Sequence, residues 1–121
     1  MMVEVYERAK HFEEISSWSP YPLDPETLGN GLVVPGVCCI FADGIGSTKT
    51  ALFYACFTNP RLPAITRTRA SRELGDRVIA ATKAAGFTSV VTSTKNPAVE
   101  HYWTRHKGLR ANGEATLAGA L

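Results

Sequence analysis

No run of apolar residues in this sequence approaches the ~20 that a bilayer-spanning helix needs, so no membrane partner is expected. The charge at the start of the chain has the wrong sign for a secretory leader. Residues 1–15 hold Glu4, Glu7, Glu13 and Glu14, and a cytoplasmic location is the expectation. Cysteine is scarce: Cys38, Cys39 and Cys56 make neither an even disulfide framework nor a C-x-x-C pair. Adjacent Cys38 and Cys39 point to opposite faces of a strand, and all three cysteines read as small buried hydrophobes. His11, His101 and His106 form no ligand set, because the last two lie on different faces of one helix, and no metal site is expected. There is no G-x-S-x-G elbow and no serine with an evident His and Asp to serve it. Gly44-Ile45-Gly46-Ser47-Thr48-Lys49-Thr50 ends like a phosphate loop, but Thr48 stands where its second glycine belongs. A strand rather than a helix follows, so this segment reads as a hairpin loop.

What is present is the composition of an ordinary folded domain: 121 residues, 45% apolar and 20% charged, expected to form one domain over 1–121. The net charge of +2 conceals an asymmetry. Residues 1–43 carry seven acids and two bases, and residues 44–121 carry four acids and eleven bases, so the two parts stand at −5 and +7. A basic half of this kind suits a polyanionic ligand such as a nucleotide, a coenzyme or nucleic acid.

Val5, Ala9, Phe12 and Ile15 recur at helical spacing and predict a helix over 3–17 with an acidic outer face. Asp24-Pro25 reads as an N-cap followed by proline at the first position of a short helix. The stretch 32–35 is left open between loop and strand start. Val37-Cys38-Cys39-Ile40-Phe41 predicts a buried strand. Residues 50–57, apolar on both faces, predict a strand in the middle of a sheet covered on both sides. A short strand is expected at 64–68, then an Arg-rich turn at 67–72 and a helix over 71–85 carrying Leu74, Val78, Ala81 and Ala85, stopped by Gly86. Ser89 to Ser93 is a β run. Asn96-Pro97 opens a helix to about 107, and 115–121 is a last strand. This order of elements predicts an α/β sandwich on a mixed sheet.

The strongest pointer to chemistry is the turn at 67–72. Backbone N–H groups at a helix start are unpaired donors, and the helix dipole adds positive potential. Arg67, Arg69 and Arg72 bring charge-assisted donors to the same place, where bases oppose the dipole unless an anion is present. The expectation is a phosphate-bearing ligand held across an open sheet.

From about Val37 onward the chain resembles the GNAT superfamily of N-acetyltransferases. Ala84-Ala85-Gly86-Phe87 matches the ending of that family's central helix, and Asn96-Pro97-Ala98 through Tyr102 to Gly108-Leu109 is similar to its "N-P-A…Y…G-F" segment. The resemblance implies a mixed, mostly antiparallel sheet with helices on both faces, and acetyl-CoA as co-substrate. It implies a backbone N–H from 65–68, Ile65 among them, polarising the thioester carbonyl. It further implies that Arg67, Thr68, Arg69, Ala70, Ser71 and Arg72 hold the pyrophosphate, that Asn96 reaches the pantetheine arm, and that Tyr102 protonates the departing thiolate. The acceptor is an amine on a small molecule or peptide, and a homodimer is an allowed assembly. The family's turn reads Q/R-x-x-G-x-G/A. Here its glycine slots hold Ala70 and Arg72 counted from Arg67, or Arg69 and Ser71 counted back from Gly86-Phe87. Short chains with this outline and a degraded turn also resemble acetyltransferase-like bacteriophage proteins. Some of those, small internal virion proteins included, keep the fold as an inactive structural or interaction module. Nucleic acid is the weaker partner, because the arginines lack interleaved exposed aromatics for stacking.

Overall fold

The structure of the protein, a computed structural model, describes residues 1–93, 103–104, 109–111 and 116–121. Alternation along the strands decides the layers. In β3 (Cys38–Gly44) both odd and even positions are buried at its start, and β2 (Gly31–Val34) ends on buried Val33 and Val34. Successive side chains point to opposite faces, so a sheet with this pattern must be covered twice. One face gathers Val34, Cys38, Ile40, Ala51, Phe53 and Val90 under Leu74 and Val78 of α2 (Ala64–Ala84). The other gathers Val33, Cys39 and Phe41 under Ile15 and Trp18 of α1 (Arg8–Trp18). Leu74/Val78 and Ile15/Trp18 are i,i+4 and i,i+3 pairs, the spacing that puts two side chains on one helix face. The expected helices on both faces are present.

The sheet has seven strands in the order β1 (Glu4–Val5), β2, β3, β4 (Thr50–Thr58), β5 (Ser89–Ser93), β7 (Thr116–Ala120) and β6 (Arg110–Ala111). Pairing is antiparallel except between β4 and β5, which run parallel with α2 as their crossover. The two-sided strand expected at 50–57 is β4, fourth of the seven. At the far end of α2, Gly86 takes φ +97°, Gly86 N–H donates to Lys83 O at 2.9 Å and Phe87 N–H donates to Thr82 O at 3.3 Å. That paired closure is the left-handed stop the sequence predicted.

Several boundaries are corrected. The first helix begins at Arg8, not at residue 3, because Glu4 and Val5 pair with Val33 and Leu32 as an edge strand. Glu7 N–H donates to His11 Nδ1 at 2.9 Å, which fixes the start of α1. The short helix after Asp24 is one turn, Pro25–Thr27, with Asp24 Oδ1 accepting Glu26 N–H at 3.0 Å as its cap. The open stretch 32–35 belongs largely to β2. Residues 64–68, expected as a strand, are the first turns of α2. They escaped the periodic reading because most side chains from Ala64 to Arg69 are exposed, leaving no apolar stripe to count. Of the helix expected at 97–107, only Trp103 and Thr104 are described, in helical conformation. Trp103 is buried with its ring centroid 5.7 Å from that of Phe53. The β6 strand, which pairs with β7, was not anticipated.

Candidate functional site

β4 is paired to β3 along its whole length but to β5 along only half. The parallel ladder runs from Thr50↔Ser89 to Phe53↔Thr92, where Thr92 Oγ1 donates to Phe53 O at 3.0 Å. Beyond that point β4 continues to Thr58 with no β5 partner among the described residues. The register of β4 against β3 shifts in the same stretch. Cys39 faces Phe57 but Phe41 faces Tyr54, so Ala55 and Cys56 together oppose Ile40 in a bulge. Ala55 has φ +48°, a left-handed backbone that costs a residue with a Cβ on the order of 1–2 kcal/mol. Its carbonyl accepts from Cys39 Sγ at 3.4 Å. Bulges of this kind re-aim backbone groups and end pairing.

The chain leaves β4 through Asn59-Pro60-Arg61-Leu62-Pro63 and enters α2. Asn59 organises the turn. Its N–H donates to Val37 O at 2.8 Å, and its Nδ2 donates to Gly36 O at 3.0 Å. Its Oδ1 accepts Arg61 N–H at 3.0 Å, and its carbonyl accepts Leu62 N–H at 3.2 Å. Pro63 caps α2 without any side-chain hydrogen bond, and the first backbone donor satisfied there is Arg67 N–H, on Pro63 O at 3.1 Å. The N–H groups of Ala64, Ile65 and Thr66 therefore have no partner among the described residues, at the positive end of a helix 21 residues long.

No acid stands between residues 59 and 72, while Arg61, Arg67, Arg69 and Arg72 do. Arg67 is half-buried, and its Nε is a buried nitrogen without a hydrogen-bond partner. It shares the sheet-facing stripe of α2 with Ser71, Leu74 and Val78, and long helical side chains lean toward the N-terminus. A buried guanidinium nitrogen left unmatched is an unmet demand for an acceptor. Phosphate fits that demand.

The expected turn at 67–72 is corrected: these residues are helical, in the first third of α2, and the turn that precedes the helix is 59–63. Ile65 is 60% exposed in the first turn, so its N–H belongs to a helix start and not to a strand. Thr68, Arg69 and Arg72 are exposed. Ala70 and Ser71 are half-buried against the sheet, Ser71 beside the Cys38 thiol. Asn96 and Tyr102 lie outside the described residues. Asn59-Pro60 and Pro63 are legible in the sequence as the break after β4; the signal that was misread is that Pro63 stands at the cap of a helix that starts at once.

Beside the sheet the Tyr54 hydroxyl and the Asp43 carboxylate are already paired, whereas the Tyr6 hydroxyl is a buried oxygen without a partner among the described residues. Tyr54 donates its hydroxyl to Asp43 and accepts Gly29 N–H at 2.8 Å, while Asn30 Nδ2 donates to Asp43 Oδ1 at 2.7 Å. Burial, and then the Asp43 carboxylate, push the Tyr54 phenol up to about 12. The Asp43 carboxylate is thus a latch between the 29–30 corner and the hairpin. Burial pushes the Cys38 and Cys56 thiols up to about 12 and Cys39 further still, so none is a poised nucleophile. The described residues contain no group of three metal-ligating side chains. No described helix is long and apolar enough to cross a membrane.

No family model matches the chain, and no curated protein sequence matches it. Solved structures do. The ribosomal-protein-S18-alanine N-acetyltransferase of Escherichia coli superposes with a TM-score of 0.70 at 13% identity, covering 99% of this chain and 92% of that one. A GNAT-family acetyltransferase of Staphylococcus aureus Mu50 gives 0.73 at 13% identity, with 99% of both chains covered. A Salmonella typhimurium protein assigned as an acetyltransferase, solved with its cofactor acetyl-CoA, gives 0.66 at 12% identity over 99% and 90%. At such identities the likeness establishes the fold, that of the GNAT acetyltransferases.

Proposed function

We propose that the protein is a GNAT-superfamily N-acyltransferase that moves an acetyl group from acetyl-CoA to an amine. The observation that carries this reading is a juxtaposition: β4 runs past its last described pairing with β5 into a bulge, and the strand then leads into a helix start with donors, and an arginine nitrogen, that have no partner among the described residues. Bound there, acetyl-CoA supplies an acyl group already activated as a thioester. The protein supplies position and charge. Ala64, Ile65 and Thr66 N–H groups and Arg67 hold phosphate oxygens, with Arg61, Arg69 and Arg72 adding field. The backbone of β4 around Ala55, past its last described pairing with β5, polarises the carbonyl of the acyl group, the role first assigned to 65–68. Asn96 contacts the pantetheine arm, and Tyr102 gives up its phenolic proton to the leaving sulfur. The acceptor amine attacks the carbonyl carbon directly, the C–S bond breaks to release coenzyme A as the thiol, and the proton that the amine loses passes through solvent to restore the Tyr102 phenol.

Calorimetric titration with acetyl-CoA tests the reading. Saturable binding is expected, with thermal stabilisation of about 2.7 kcal/mol at 100 times the dissociation constant. Tyr102→Phe is expected to lower turnover with cofactor affinity nearly intact. Absence of both heat and stabilisation at millimolar acetyl-CoA overturns the reading. That result favours the second one, an inactive structural or interaction module. The turn at 59–63 supports the module, since it contains no glycine and puts proline rings where a backbone would approach a diphosphate.

A further inference from the structure

The sheet-facing stripe of α2 shrinks along its length. Leu74 and Val78 are buried in the core, but the next positions on that stripe are Ala81, Thr82 and Ala85. The strands beneath are small at the same place, with Gly31 in β2, Ala42 and Gly44 in β3 and Ala51 in β4. A packed core sets large side chains against small ones. Here small faces small, and a recess of about 350 Å³ is left between helix and sheet. Ile40, Ala51 and Val78 are its buried floor. The Phe87 ring closes one end, lying so near Gly44 that an added Cβ there would stand 3.0 Å from it. Val5, 69% exposed, stands at the mouth. At 1.5 Å per residue Ala81 lies about 25 Å along the helix from Ala64, so the recess is separate from the donor site proposed above.

The wall decides what fits. Asp43 is its only ionisable residue among the described residues, and that carboxylate is already taken by the Tyr54 hydroxyl, by Asn30 N–H at 3.2 Å and by Asn30 Nδ2 at 2.7 Å. A cation therefore meets no free acid there and an anion no base, and either would lose hydration without a partner. Thr82, 6% exposed, has spent its hydrogen on Val78 O at 2.7 Å, so its oxygen can only accept. An apolar cavity of about 150 Å³ already holds benzene. Twice that space suits two fused rings. We propose that the recess binds a small uncharged aromatic molecule of two fused rings with a single N–H or O–H donor, the class of indole and naphthol. The rings lie on Ile40, Val78 and Phe87, and the donor meets the Thr82 oxygen. Binding here is independent of acyl transfer.

Calorimetry on the full chain tests this with indole, with 1-methylindole as the analogue lacking the donor, and with indole-3-acetate and tryptamine as the charged ones. Indole is expected to bind saturably with a submillimolar dissociation constant, and the two charged analogues at least about tenfold more weakly. Thr82→Val should weaken indole to the level of 1-methylindole and leave 1-methylindole unchanged. Ala81→Phe puts a ring into the recess and should abolish indole binding. Ala85→Leu, at the exposed end of the helix, should weaken it at least about tenfold and serves where the larger ring disturbs folding. Indole binding that survives in the filled variants, or that any of the three analogues matches, overturns the proposal. So does the absence of saturable binding at millimolar indole. A dimer of the free protein in sedimentation that dissociates in Ala81→Phe also overturns it, because a second copy would then fill the recess.

Discussion

The two ends of α2 are built in opposite ways. At its C-terminal end the chain turns through left-handed Gly86, the carbonyls of Ala81, Thr82 and Lys83 are all taken, and Lys83 sits in the last turn, where a cation complements the dipole. At its N-terminal end Pro63 offers no side-chain cap, there is no acid in the first turn, three N–H groups have no partner among the described residues, and arginines stand against the dipole. The same helix is closed and electrostatically matched at one end, open and mismatched at the other. An end that bears only on stability gains by closing; an open, mismatched end gains only if something else completes it.

The largest expected effect breaks the open end. Replacing Arg61, Arg67 and Arg69 together with Gln should weaken acetyl-CoA binding at least tenfold and remove most of its salt dependence, as read by calorimetry at two ionic strengths. Thermal denaturation of the free triple variant should show equal or higher stability, because each removed charge opposed the dipole by about 0.3–1 kcal/mol. A triple variant that is both less stable and undiminished in binding would make these arginines structural.

Next comes the closed end. Gly86→Ala meets no atom within 4 Å, so its cost is purely conformational, about 1–2 kcal/mol of stability at a backbone angle of +97°. Donor affinity should not change, and denaturant unfolding together with a titration checks both halves of the statement.

The smallest effect compares like charges at unlike ends. Lys83→Ala should destabilise by about 0.3–1 kcal/mol, fading at high salt, the opposite sign from the arginine variant in the free protein. Equal signs for the two would mean that the dipole does not govern either end.

Legibility in the sequence followed burial. β4 and β5 were readable almost to the residue, since Ala51, Phe53 and Val90 are core positions flanked by turn residues. Gly86 was readable as a stop because only glycine sits easily in the left-handed region. The start of α2 was not, because Ile65, Thr66, Thr68 and Arg69 face solvent and leave no periodic trace of helix. The arginines were found, but their setting was misread by about two turns. Asn96 and Tyr102, which the resemblance nominates, remain assignments from the sequence.

Local patterning by itself determined the class of the protein: strands buried on two faces, an amphipathic helix between the two that run parallel, and a basic segment suited to an anion. Tertiary structure alone decided which backbone donors at the start of α2 stay without a partner among the described residues. Which N–H groups remain free depends on partners distant in sequence, Val37 and Gly36 for Asn59 among them. The bulge opposite Ile40 likewise arises only when β4 is laid against β3, with Ala55 and Cys56 together facing one residue of the neighbouring strand. Hydrogen-bond satisfaction is a property of the assembled chain, and no window of sequence contains both members of such a pair.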